Sequence, residues 1–129
     1  MSIRTPLSKA RGHGEASEGV SHFWRQRVTA VALIPLCLWF IFSVVGLAWK
    51  PYINAIDFVA EPHNAVFLLL LIWAGFTHLR LGLQTVIEDY ITDRFHKLAL
   101  LALNDFFVAI LGVTCALSVI KIFVLAVPA

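Results

Sequence analysis

Three residues near the middle of this chain have types and spacing suited to chemistry: His78, Asp89 and Tyr90. His78 stands inside an apolar run, and Asp89 and Tyr90 follow Glu88 where that run ends. On an α-helix, residues eleven apart differ by about 20° in azimuth and about 16 Å along the axis, so His78 and Asp89 share one helix face. A neutral imidazole in a helix bundle is the usual axial ligand of a b-type haem, because one ring nitrogen binds iron while the other hydrogen-bonds locally. Gly75 and Gly82 fall on the same face, at i−3 and i+4, where missing side chains would let a flat macrocycle approach the backbone. Spacing alone fits two readings. One is a haem ligand; the other is a histidine hydrogen-bonded across helices, with the glycines serving close packing. A bis-histidine iron also needs a second histidine on a facing helix. No other long apolar run here contains one, so that ligand would belong to another chain.

Asp89 and Tyr90 sit where a quinone head group would meet the membrane edge. Reducing a quinone consumes two electrons and two protons, so a site needs a hydroxyl to hold a carbonyl oxygen and an acid in contact with water. Tyr90 suits the first role and Asp89 the second. The plain alternative is a helix end with an interfacial tyrosine. Arg25 and Arg27 fit either ordinary positive charge at a membrane edge or, for one of them, a partner for an anionic group such as a haem propionate. Arg80 lies about 200° around the helix from His78, so it is expected to snorkel or to pair with a neighbouring subunit. His13, His22, His63 and His96 have no ligand-type spacing and read as solvated surface histidines.

The elements that must position these residues follow from composition. Of 129 residues, 60% are hydrophobic and only 14% charged, with a mean hydropathy of +0.84. A soluble domain carries about a quarter charged residues. The excess lies in three apolar runs, each long enough for a hydrocarbon core of about 30 Å. The chain therefore reads as an all-α integral membrane protein with three transmembrane helices. The expected division is an N-terminal segment 1–27, a first span 28–49, a loop 50–63, a second span 64–87, a loop 88–97 and a third span 98–127. Residues 1–20 are expected to be disordered or extended until docked on a partner, with Ser21 as a possible N-cap. Residues 50–63 have apolar positions suited to a short helix on the bilayer surface, and either Asn64 or the Glu61–Pro62 pair suits the start of the second span. The third run is longer than a span requires. Either it begins outside the bilayer, or Asn104 and Asp105 face protein instead of lipid.

Basic residues set the expected orientation. The N-terminal segment holds Arg4, Lys9, Arg11, Arg25 and Arg27, and the second loop holds Arg94 and Lys97, against Lys50 alone in the first loop. The positive-inside rule then places the N-terminus and 88–97 in the cytoplasm or matrix and 50–63 in the periplasm or its equivalent. His78 falls toward the inner half of the membrane, and Asp89 and Tyr90 at its inner surface.

Several function classes are excluded. A net charge of +2 with scattered basic residues does not suggest nucleic acid. Cys37 and Cys115 stand alone inside apolar runs, so they form neither a zinc knuckle nor a c-type haem attachment. No flavin or iron–sulfur motif is present, and the chain reads as non-catalytic by itself. The polar first 22 residues lack the apolar core of a secretory signal.

His78 followed, after ten residues, by Asp89-Tyr90 resembles the signature of the small hydrophobic membrane-anchor subunits of succinate dehydrogenase (respiratory complex II). The segment from Gly19 to Ala30, Gly-Val-Ser-His-Phe-Trp-Arg-Gln-Arg-Val-Thr-Ala, is similar to that family's entry into its first span. The resemblance covers nearly the whole chain. It implies an inner-membrane enzyme of the tricarboxylic acid cycle, in which a flavoprotein subunit oxidises succinate and an iron–sulfur subunit passes electrons on. Two anchor subunits, forming a heterodimeric bundle, bind haem b and ubiquinone. Carried over, His78 would be an axial ligand of the haem iron and Arg27 would lie near the propionates. Tyr90 would hydrogen-bond the ubiquinone carbonyl, and Asp89 would help place or protonate it. Family members carry a histidine at the position of Ser21; here His22 is offset by one.

Two other readings remain open at this level. Anchors of quinol:fumarate reductases use related architecture in the opposite direction. A cofactor-free structural anchor or small transporter is the reading from another class, although a transporter calls for a membrane-embedded acid and the first two spans have none.

Overall fold

The computed structural model describes residues 15–126, with side chains from residue 19 onward. Among them are four helices and no strand: α1 (Glu15–Leu47), α2 (Tyr52–Ala60), α3 (Pro62–Tyr90) and α4 (Arg94–Ala126). Three are long and apolar enough to cross a bilayer, the all-α, three-span architecture expected from composition.

The helices run past their apolar runs. α1 extends back to Glu15 and is helical through Pro35, so residues 15–20 are helical, not disordered or extended, and Ser21 lies inside the helix instead of capping it. Once a long apolar helix exists, each residue added to its end gains a hydrogen bond without a new nucleation cost. Residues 1–14 lie outside the described part. α3 starts at Pro62 with Glu61 as its N-cap residue, a position where the missing proline N–H costs nothing. Asn64 has a different use: its Nδ2 donates to the Phe58 carbonyl at 3.0 Å, tying α2 to α3. Only Ile91, Thr92 and Asp93 separate α3 from α4. Asp93 caps α4, its Oδ2 accepting from the His96 N–H at 2.9 Å.

The middle of the fold is α3, which packs against both α1 and α4. The second contact is close at Gly112, where a Cβ would stand in ordinary contact with the Phe76 ring at 3.5 Å. Trp39 of α1 stacks on Phe58 of α2 and meets the edge of Phe67 of α3. The buried apolar residues are few, namely Ala65, Leu68, Ala74, Leu81 and Val108. Three helices in this arrangement bury a narrow seam and leave most of their apolar surface for lipid and other chains.

Candidate functional site

The site is built along α3 because that helix alone carries both the ligand-type and the interfacial residues. His78 is half-buried and faces α1. Its Nδ1 lies 3.2 Å from Oγ1 of Thr29, a residue only 3% exposed. Nε2 has no partner among the described residues and is not sealed from the surroundings. The Thr29 hydroxyl also lies 2.8 Å from the Arg25 carbonyl and 3.0 Å from the Gln26 carbonyl, the back-bonding common for threonine in helices.

The two flanking glycines differ in what surrounds them. A Cβ on Gly75 would meet only Leu33 of α1, at an ordinary contact distance of 3.9 Å. A Cβ on Gly82 would meet nothing within 4 Å. Open ground lies at Gly82, toward Asp89, and a groove between α1 and α3 also borders Gly75. The residues present fit a haem: the imidazole leaves a ring nitrogen available, and a bare backbone adjoins it.

Asp89 and Tyr90 occupy the last turn of α3, and both are exposed, Tyr90 to 80%. Neither side chain has a hydrogen-bond partner among the described residues. Glu88 behaves differently. Its carboxylate accepts from Gln84 at 2.8 Å and its carbonyl from Lys97 at 2.9 Å, which fixes the helix end from which Asp89 and Tyr90 project.

Arg27 is not brought to His78 within this chain. Two residues correspond to about 200° on a helix, so Arg27 leaves the opposite side of α1 from Thr29. Its guanidinium lies 4.7 Å from the centre of the Phe23 ring. Arg80 neither snorkels nor waits for a neighbour; it forms a two-pronged ion pair with Asp105 of α4 at 2.6 and 2.7 Å. The pair borders a groove of about 400 Å³ between α3 and α4, lined by Trp73, Phe76 and Val108 and reached by Arg25. Asn104 is buried and its Nδ2 donates to the Arg80 carbonyl at 3.1 Å. Of the early polar residues of the third run, Asn104 is thus buried against α3, whereas Asp105 is half exposed and paired with Arg80.

Two of the remaining histidines depart from the solvated reading. His22 is half-buried, with an Nε2 that is enclosed and unpartnered among the described residues. It lies seven residues before Thr29, on the same face of α1. His96 is exposed but engaged, its Nδ1 2.6 Å from Asp93 Oδ2. The Asp93 carboxyl is held below its ordinary range, first by the His96 backbone N–H and then by the imidazole. His63 is exposed, and His13 lies outside the described residues. Sequence reasoning missed Thr29. Its one available signal was a threonine in an otherwise apolar stretch, and nothing local says which helix such a hydroxyl meets.

Comparison with known proteins gives a consistent set of matches. Residues 1–125 match the family described as succinate dehydrogenase/fumarate reductase transmembrane subunit. A succinate dehydrogenase hydrophobic membrane anchor subunit from Rickettsia bellii is 32% identical over 90 residues, covering 70% of this chain and 72% of the relative. One from Paracoccus denitrificans is 30% identical over 104 residues, 78% of each chain. One from Rickettsia prowazekii is 29% identical over 129 residues, 97% of this chain and 94% of the relative.

Proposed function

Since the chain belongs to the succinate dehydrogenase/fumarate reductase transmembrane subunit family, we propose that it is the anchor subunit that helps bind haem b and reduce ubiquinone in succinate dehydrogenase. The observation that carries this reading is the layout of α3. One continuous helix holds His78, with a free ring nitrogen, inside the span and presents Asp89 and Tyr90, unpartnered among the described residues and exposed, at its end.

In this reading His78 would hold the haem iron through Nε2, and a second anchor subunit would supply a further ligand. Haem b, when bound, supplies a one-electron reservoir inside the bilayer. The chain's own residues would hold it: His78 through its ring and the Gly82 backbone through the space it leaves, while Arg27, although it leaves the opposite side of α1 from Thr29, would contribute positive charge toward the propionates at the membrane edge. Tyr90 O–H donates to a ubiquinone carbonyl oxygen at the inner membrane surface. Asp89, in contact with water, passes protons toward the oxygens as electrons arrive from the iron–sulfur subunit. Two electrons and two protons convert the quinone to the quinol. The flavoprotein subunit oxidises succinate, so this chain performs no step of that half-reaction. The N-terminus and the turn at 91–93 lie on the cytoplasmic side of the bacterial inner membrane, or the matrix side in mitochondria, as the distribution of Arg and Lys favours.

The test is His78→Ala in the purified complex. The b-type haem absorption should be lost or shifted, with the other subunits still present. An unchanged spectrum at normal haem content would sink the ligand assignment.

A further inference from the structure

The contact between Thr29 and His78 has a direction that hydrogen-bond chemistry decides. A threonine hydroxyl has one proton to donate and two lone pairs. Oγ1 of Thr29 lies within bonding distance of the Arg25 carbonyl, at 2.8 Å, and of the Gln26 carbonyl, at 3.0 Å. Carbonyls only accept, so the single hydroxyl proton is committed to them. Toward Nδ1 of His78, 3.2 Å away, the oxygen offers a lone pair alone. The contact is a hydrogen bond only when Nδ1 carries the ring proton. In a neutral imidazole that places the lone pair on Nε2, the nitrogen with no partner among the described residues.

We infer that Thr29 is a positioning residue that fixes the tautomer and ring angle of His78, so that Nε2 is the metal-binding nitrogen. This rests on the reading of His78 as a haem ligand and extends it to a residue to which the resemblance gives no role. The surroundings favour the role. Thr29 is only 3% exposed, so water does not compete for its hydroxyl, and the two carbonyls belong to the turn of α1 that precedes it. A ligand histidine whose other N–H is held is more basic and more rigid, and removing such a partner typically weakens metal binding roughly 10–100-fold.

Thr29→Val keeps the shape and deletes the hydroxyl, whereas Thr29→Ser keeps the hydroxyl. Both are tested in the purified complex by haem transfer to an excess of a high-affinity haem scavenger, and by the haem midpoint potential. Thr29→Val should lose haem at least about 10-fold faster, and its potential should rise because a less basic imidazole stabilises ferric iron less. Thr29→Ser should match the unaltered complex in both. Equal rates and potentials for all three would overturn the inference, and so would an equal defect in both variants, which would mean the methyl matters and not the hydroxyl. His78→Ala separates the two layers. If it loses haem while Thr29→Val changes nothing, only the role of Thr29 falls; if it keeps an unaltered haem, the ligand reading falls as well.

Discussion

Arg80 of α3 and Asp105 of α4 form a two-pronged ion pair, Nε to Oδ1 at 2.6 Å and an Nη to Oδ2 at 2.7 Å, on the side of α3 turned away from His78. Both side chains are about half exposed, so the pair sits on the lipid- or partner-facing surface and not in a core. With Asn104 bonded to the Arg80 carbonyl, it locks α4 to α3 and leaves the opposite face free for α1 and the candidate site. Charge inside a span is costly unless it is paired, and here both charges come from one hairpin.

Asp105→Asn should therefore destabilise the assembled complex without touching the haem spectrum. An unpaired arginine within a span costs about 2.5–3.5 kcal/mol on insertion scales, and half-exposure with room to snorkel reduces this to about 1–2 kcal/mol. Replacing both partners with leucine should recover most of the loss, because it removes the charges as well as the bond. Thermal unfolding of the purified complex in detergent checks this. A single variant as stable as the unaltered complex would show that lipid or water already satisfies Arg80.

Tyr90→Phe should slow ubiquinone reduction at least about 10-fold, since the lost hydroxyl is the group that would hold the carbonyl. Positioned proton transfer contributes roughly 10²–10⁴-fold, so Asp89→Asn should slow the same reaction by at least the lower part of that range. Succinate oxidation by an artificial dye should be unchanged in both variants. Both side chains are exposed and make no bonds among the described residues, so neither change should disturb folding. Loss of dye-linked activity as well would indicate failed assembly and count against a quinone role.

The start of α4 should respond to acid. Asp93 accepts from the His96 backbone N–H and from its ring, and these bonds hold its carboxyl below the ordinary range. A depressed carboxylate stabilises the folded form above its unfolded value of about 3.9, and that contribution is lost as pH falls through the lower folded value. Below about pH 4 the protection of the His96 amide, its exchange compared with that of an unstructured chain at the same pH, should fall. Asp93→Ala should show the lowered protection at neutral pH, while Asp93→Asn, still a good cap, should not. Exchange measured by mass spectrometry on the membrane-embedded complex reads this once divided by the intrinsic rate at each pH, and protection that does not fall with pH in the unaltered protein would contradict the capping account.

Much of this protein is legible without coordinates. Apolar run length sets the three spans, because a bilayer demands about 20 residues per crossing. Helical geometry places His78 and Asp89 on one face and Arg80 on another, because azimuth along a single helix depends only on residue number. The Arg80–Asp105 pair is legible in principle too. α3 and α4 form an antiparallel hairpin across a three-residue turn, and Arg80 and Asp105 stand within one residue of equally far from its centre, as do Glu88 and Lys97. Expecting Arg80 to snorkel or to seek another subunit leaves that register out. The helical state of residues 15–20 escapes a reading that weighs polar composition without the cooperativity that extends a long helix.

The alignment of α1 on α3 is different in kind. Thr29 and His78 are 49 residues apart, joined through α2 and two bends, so no short turn sets their register. Which faces meet depends on the sum of many small packing contacts, among them Leu33 against Gly75 and Trp39 against Phe67. The sequence by itself determined the helices, their faces and the residue types at each level of the membrane, because those are local properties. Only the tertiary structure decided that a buried threonine hydroxyl, with its proton already committed, stands against one nitrogen of His78 and leaves the other available.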